Sequence, residues 1–180
     1  MSKNNSLKNL IRTTLILLVS SLISCQKQEQ EISVASQEKS IESFVNSQTS
    51  SRVALNGGVY RVLLDEGAGD TLALGDSLIL EYAAYIFNSG KGPVFATNIQ
   101  EIAALAGIDI SNSGMENFGI EYGKTTLLDG VELGLRGVKR GEHSYIIFSS
   151  RFGYSNKIVG IVPKYSPLIF EIWIKEVKKN

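Results

Sequence analysis

Cysteine is almost missing from this chain, as are histidine and tryptophan, with one of each in 180 residues. A lone thiol, Cys25, has no partner for an intrachain disulfide and no second sulfur for a metal site, so neither a disulfide framework nor a zinc cluster is open to it. No glycine-rich loop followed by lysine stands after a strand, and "GAG" at 67–69 is too short to cradle phosphate. There is no internal repeat and no alternation of strand and helix of the kind that builds a parallel sheet. The apolar run "LILLVSSLIS" at 15–24 is too short for a permanent membrane helix. What remains, with 43% apolar and 20% charged residues, reads as one globular domain with an appendage.

The appendage comes first. Lys3, Lys8 and Arg12 precede the apolar run, the layout of a secretory leader. It ends in "LISC", Leu22 to Cys25, which resembles the bacterial lipobox, whose cysteine is acylated and becomes the first residue of the mature chain. On this reading residues 1–24 are a signal peptide and Cys25 is the lipid attachment point, with membrane binding through several acyl chains. The expected location is the cell envelope, lipid-anchored to a bacterial membrane and facing periplasm or cell surface; Gln26, where an aspartate would direct inner-membrane retention, favours the outer membrane without deciding between the two. Removing residues 1–24 takes three cations and no anion from the 18 Lys+Arg and 18 Asp+Glu, which leaves a net charge of −3. That balance argues against nucleic acid as a partner.

Residues 25–56 are rich in Gln, Ser, Glu and Asn and suit a polar tether. Within it Ile41, Phe44 and Val45 fall at helical spacing, so a weak amphipathic helix near 29–48 is expected, as a partly helical spacer or as a helix that binds a partner. From residue 57 the texture becomes short alternating segments bounded by glycine, the domain proper at 57–180. Strands are expected at 59–64, 77–87, 118–123, 143–150 and 167–177, with turns at 65–70 and a loop at 89–93. In 77–87, Leu78, Leu80, Tyr82 and Ala84 share one face; in the last strand Leu168, Phe170, Ile172 and Ile174 face one way and Ile169, Glu171, Trp173 and Lys175 the other. Helices are expected at 98–108, stopped by Gly107 and with Ile99, Ile102, Ala103 and Ala106 on one side, and at 126–137. Mostly strands with one short helix implies an antiparallel sheet folded over that helix, an α+β domain. The glycines of 126–141 then make sense: small residues let the helix approach the sheet, and Gly137 and Gly141 can take positive φ in the turns that follow. His143 reads as an exposed surface residue rather than a general base.

The order "GD" (Gly75, Asp76), Tyr82, Phe118 with Gly123, "LLDGVELGLRGVKRGE", "FGYSNKIVGIVP" and "LIFEIWIKEV" resembles the FKBP-type peptidyl-prolyl cis-trans isomerase family over about 57–177. The resemblance implies a five- or six-stranded antiparallel half-barrel wrapped around one short helix. Between them would lie an apolar pocket that receives a proline side chain and needs no cofactor or metal. It implies pocket walls from Tyr82, Phe95, Phe118 and Phe170, with Leu127 and Leu128 entering the helix and the Leu128 N–H holding a substrate carbonyl. Tyr154 would offer its hydroxyl to a second carbonyl, and Ile161 and Val162 would supply an apolar pair before Pro163. Clients would be proline-containing polypeptides, and the protein a monomer. Three departures from the family stand out: Ala96 replaces an aspartate, Val131 replaces a floor tryptophan, and an inserted segment, 96–117, separates Phe95 from Phe118. They point to weak or moderate turnover. The alternative is a client-binding or complex-assembly module of the same fold with little isomerase activity, and a third reading is a lipoprotein that binds a small apolar ligand.

Overall fold

The computed structural model describes residues 31, 33–48, 52–110 and 118–180. The expected leader, Cys25 and much of the tether lie outside the described residues, as do 111–117 of the inserted segment. The chain divides into two compact units, Met1–Ser36 and Gln37–Asn180. Of the first, the described residues are 31 and 33–36, all helical. The second unit holds every strand among the described residues.

In that unit, residues 37–47 form helix α1. Strands β1 (Arg52–Asn56) and β2 (Val59–Asp65) make a hairpin through Gly57 and Gly58, both at positive φ, which a two-residue hairpin turn requires. A small strand β3 (Ala68–Thr71) precedes the long β4 (Ser77–Phe87), which turns into β5 (Lys91–Thr97). Helix α2 (Gln100–Ala106), strand β6 (Phe118–Glu121) and helix α3 (Asp129–Leu135) follow. Last come β7 (Lys139–Arg140), β8 (His143–Phe148) and β9 (Leu168–Lys178). The main sheet runs β1-β2-β8-β9-β4-β5 with β6 beside β4, and β3 pairs with β7 apart from it. Its pairings are all antiparallel, and β1 and β5 end it without closing a barrel.

Alternation, interrupted by one register shift opposite Ile79 and Leu80, makes β4 and β9 two-sided, and both sides are covered. Leu78 and Leu80 of β4, Ile146 and Phe148 of β8, and Leu168, Ile172 and Ile174 of β9 pack on the face that carries α3, around Leu135 and Val138. Ala83, Tyr85, Phe87, Val62, Ile147 and Ile169 face the other way and meet Ile41 and Val45 of α1. Within the tether expected over 25–56, the amphipathic helix expected near 29–48 is present, and in this unit it packs on the sheet instead of standing off as a spacer. Ile41 is 1% exposed and Val45 4%, because the apolar stripe of this otherwise polar helix finds an uncovered sheet face, and the sheet itself begins at Arg52.

Helix α3 lies close to the sheet. A Cβ on Gly130 would come within 2.4 Å of the Phe148 ring, and one on Gly134 within 2.2 Å of Ile146 Cγ2. Gly137 and Gly141 leave the helix at φ 73° and 78°, as expected for the turns there. Buried Arg61 of β2 donates from Nη1 to the carbonyls of Gly134 (3.1 Å) and Arg136 (2.8 Å), at the negative end of α3, and faces Glu142 at 3.3 Å.

Several boundaries move. The loop expected at 89–93 turns into β5 from Lys91, and the turn expected at 65–70 contains β3. Helix α2 is shorter than expected, with Gly107 in the left-handed conformation as its stop, and Ala106 faces solvent while Ala103 is buried. His143 is corrected as well: it is wedged between Asp65 (3.3 Å) and Glu171 (3.0 Å) and stacked on Trp173 at 4.7 Å. Trp173 and Tyr145 beside it pack against the cluster on the sheet face that bears α1.

Candidate prolyl-binding pocket

Where β4, β5 and β9 pass the entry to α3, four aromatic rings from distant parts of the chain converge. Tyr82 stacks on Phe170 at 6.4 Å, Phe95 meets Phe170 edge-on at 5.9 Å, and Tyr154 meets Phe95 edge-on at 6.2 Å. Strand pairing makes this possible. Tyr82 faces Ile172 in register and Ala84 faces Phe170, so Tyr82 and Phe170 lie on one sheet face one diagonal apart. Phe148, fully buried, stacks behind Phe170 at 5.8 Å and fixes its ring from below.

The rings enclose a cavity of about 210 Å³ whose floor and sides include Leu127, Leu128, Val131, Leu80 and Ile172. That is below the few hundred Å³ of a drug-sized site, and suits a single apolar side chain rather than a whole ligand. Seven of the residues expected from sequence meet here: Tyr82, Phe95, Leu127, Leu128, Val131, Tyr154 and Phe170. Phe118 takes its place in β6 opposite Leu80, but its side chain lies outside the described residues. Ile161 and Val162 are not among the lining residues. They occupy a tight turn closed by reciprocal bonds between Val159 and Val162 (3.1 and 2.9 Å), which sends Val162 fully into the core and leaves Ile161 60% exposed.

Polar groups are few. Thr126 and the two phenols are the polar side chains of the lining, and no lining residue among those described carries a carboxylate or imidazole. Burial pushes the Tyr82 hydroxyl above its usual pKa, with nearby Tyr154 adding to it, and burial alone does the same to Tyr154. Both are therefore neutral donors at neutral pH. Leu128 is the N-cap of α3, in extended conformation, so its N–H stays outside the helix's own hydrogen bonding at the edge of the cavity.

Sequence reasoning missed the group that fixes Tyr82. Buried Asn98, just after β5, accepts from the Tyr82 N–H through Oδ1 (2.7 Å) and donates from Nδ2 to the Leu80 carbonyl (3.0 Å), while Thr97 Oγ1 donates to the Tyr82 carbonyl (2.7 Å). The link spans 16 to 18 residues, and nothing in local pattern announces it. Ala96 lines the cavity too and presents a methyl group to it.

An antiparallel sheet bent over one short helix, with a mostly apolar aromatic cavity at that helix's entry, is an arrangement with room for one small apolar group. A sequence profile for FKBP-type peptidyl-prolyl cis-trans isomerases matches residues 70–175, and the chain belongs to that family of enzymes. Among curated relatives, FK506-binding protein 1 of Aspergillus oryzae is 26% identical over 121 residues, which is 67% of this chain and 98% of the relative. Among solved structures, FkpA from Escherichia coli aligns with a TM-score of 0.56 at 17% identity, over 93% of this chain and 71% of that one. The peptidyl-prolyl cis-trans isomerase of Pseudomonas syringae pv. tomato aligns with a TM-score of 0.57 at 15% identity, over 83% and 96%. At such identities these likenesses establish the fold.

Proposed function

We propose that this protein isomerises Xaa-Pro bonds of polypeptide clients outside the cytoplasm, held at a bacterial envelope membrane, the outer membrane, by acyl chains on Cys25. The observation that carries the catalytic half is the convergence of Tyr82, Phe95, Tyr154 and Phe170 on one cavity at the entry of α3. The anchoring half rests on the leader and the "LISC" sequence alone. No helix among the described residues is long and apolar enough to cross a membrane.

Rotation about a prolyl amide needs no nucleophile. Its barrier is about 18–20 kcal/mol, because the twisted amide loses resonance. A twisted amide also carries less charge separation than a planar one, so a dry apolar cavity favours it. The proline ring enters between Phe170 and Tyr82 with Val131 and Leu128 beneath. The Leu128 N–H and Tyr154 hydroxyl hold the flanking carbonyls while the bond turns. Only binding that is tighter for the twisted form than for either planar form speeds the reaction, and a thousandfold acceleration asks for about 4 kcal/mol of such preference. Val131 leaves the floor short of an indole, and Ala96 offers no charge to the tyrosine wall, so turnover is weaker than in a pocket that has both.

Exchange NMR on a proline tetrapeptide tests this. The chain should raise the cis–trans exchange rate above that in buffer, and Tyr154→Ala and Phe170→Ala should each lower it at least tenfold. Exchange at the buffer rate with peptide still bound would leave the second reading, a client-binding module of the same fold.

A further inference from the structure

The loop from Ser149 to Pro167 joins β8 to β9 and carries Tyr154, yet it belongs to no sheet. Loops of that length inside a compact domain need something to hold them. Part of the answer is internal. The Ser150 carbonyl accepts from the N–H groups of Gly153 and Ser155, both at 3.1 Å, and the Tyr165 N–H donates to the Ser155 carbonyl at 2.6 Å. Tyr165 itself sits at φ 57°, a left-handed conformation that a bulky residue keeps only when its surroundings impose it.

The rest comes from far away in sequence. Gln37, at the start of α1, accepts from the Ser150 N–H through Oε1 (2.8 Å) and donates from Nε2 to the Tyr165 carbonyl (2.8 Å). One amide thus ties both ends of the loop to the helix, across 113 and 128 residues. Glu38 adds to the tie: its Oε1 accepts from Ser149 Oγ at 3.2 Å and lies 3.5 Å from Arg151 Nε. Ser149 and Ser150 are buried, so at the near end of the loop a lost partner is not cheaply replaced by water. The chemistry is selective. A primary amide presents an acceptor and a donor side by side, whereas a carboxylate has no proton for the Tyr165 carbonyl and a thioether satisfies neither group.

From this geometry we infer that Gln37 is a positioning residue for the isomerase pocket, acting through the loop that aims Tyr154, although it lies outside the segment that defines the family. The inference presupposes the isomerase reading of the pocket. It does not concern whether the domain folds, because Ile41 and Val45, one and two turns further along, attach the helix to the sheet independently.

The full-length chain with Gln37→Met should show kcat/KM about fivefold lower, the factor that loss of about one hydrogen bond's worth of loop order implies. In a Tyr154→Phe background the same change should cost less than twofold, since the group being aimed is already gone. Ile41→Ala, which loosens the helix without touching the clamp, should lower the unfolding midpoint and leave kcat/KM below that midpoint unchanged. Hydrogen exchange supplies an arm independent of turnover: Gln37→Met should speed exchange at Ser150 and its loop neighbours at least fivefold, with β9 amides unmoved. Unchanged loop exchange would overturn the clamp, and faster loop exchange with unchanged kcat/KM, or an equal loss in both backgrounds, would overturn the positioning role. A wild-type chain that matches the buffer rate sinks the isomerase reading while the exchange arm still decides the clamp.

Discussion

Gly134→Ala is the sharpest test of why α3 is built with glycine. A Cβ there would lie 2.2 Å from Ile146 Cγ2 and 2.8 and 2.9 Å from Cγ1 and Cδ1, where relaxed carbon contacts need about 3.5–4.0 Å. Ile146 is fully buried, and its β-branched side chain is stiff in a strand, so helix and sheet must separate instead. Overpacking costs about 1–3 kcal/mol, and a clash with three carbons of one stiff side chain puts this site in the upper part of that range, about 2–3 kcal/mol, while replacing a helical glycine with alanine gains about 1 kcal/mol. The expected net loss is about 1–2 kcal/mol, a fall of roughly 2–8 °C in melting temperature per kcal/mol. Val131 rides on the same helix, so kcat/KM should fall with it. The decisive comparison is made in an Ile146→Ala background. That change alone costs about 2–5 kcal/mol, but it removes the clashing atoms, and there Gly134→Ala should stabilise by about 1 kcal/mol. Urea unfolding followed by the single tryptophan, Trp173, reads all four chains. A neutral Gly134→Ala, or a penalty that persists undiminished beside Ile146→Ala, would show that close approach is not what requires glycine here.

Val131→Trp should restore an aromatic floor to the cavity and raise affinity for a proline peptide, measured by titration; no change or a loss would mean the floor is not vacant. The kcat/KM profile should be flat from roughly pH 6 to 9, because the titratable lining groups among the described residues are two tyrosines whose pKa values burial raises above about 10. With folded values raised, the stability their neutral forms contribute is complete below about pH 10 and is lost as pH climbs through the folded values, so alkaline unfolding belongs there; a limb inside the flat range would mean that a group outside this lining controls the rate. A chain of residues 50–180 should be less stable in urea than one of 37–180 by up to about 3–6 kcal/mol, the burial of Ile41 and Val45 at about 1.5–3 kcal/mol each; equal midpoints would mean α1 contributes no stability.

Alternation carried most of what was legible in the sequence. The long strands β4 and β9 alternate up to Ile174 of β9, and their faces divide between the two clusters as the pattern requires; beyond it a register shift puts Val177 on the same face as Ile174. The turn glycines were legible because positive φ leaves few other choices. What escaped was held by distant partners or masked by composition. Strand β5 contains Gly92 and Pro93 and lies at an edge, where a missing N–H is tolerated, so its sequence reads as loop. Strand β1 is largely exposed at the other edge and carries too little apolar pattern to separate it from the polar segment before it. Helix α1 looks like a spacer because its burial concerns one narrow stripe. Arg61 and Asn98 are polar residues whose value depends on carbonyls 73 and 18 residues away. The pocket rings were legible only through their joint order along the chain, since each aromatic alone reads as ordinary core.

The segment that matches the family, 70–175, starts after β2, yet β2 lies between β1 and β8 in the sheet. From one face β2 supplies Val59 to the cluster under α3 and Arg61 to the carbonyls that end that helix; from the other it supplies Val62 to the surface that α1 covers. The floor of the cavity is the first turn of α3, and its position is set by a strand and a buried cation outside the family segment. The Tyr154 loop is likewise tied to a helix that precedes the sheet. A pocket that discriminates a twisted amide from a planar one by a few kcal/mol needs its walls held closely, because misplacement of about 1 Å can cost a hundredfold. The residues that hold them extend back to Gln37. Substitution of Gln37 or Arg61 should therefore change turnover even where every lining residue is kept, whereas Ile41→Ala should change stability alone.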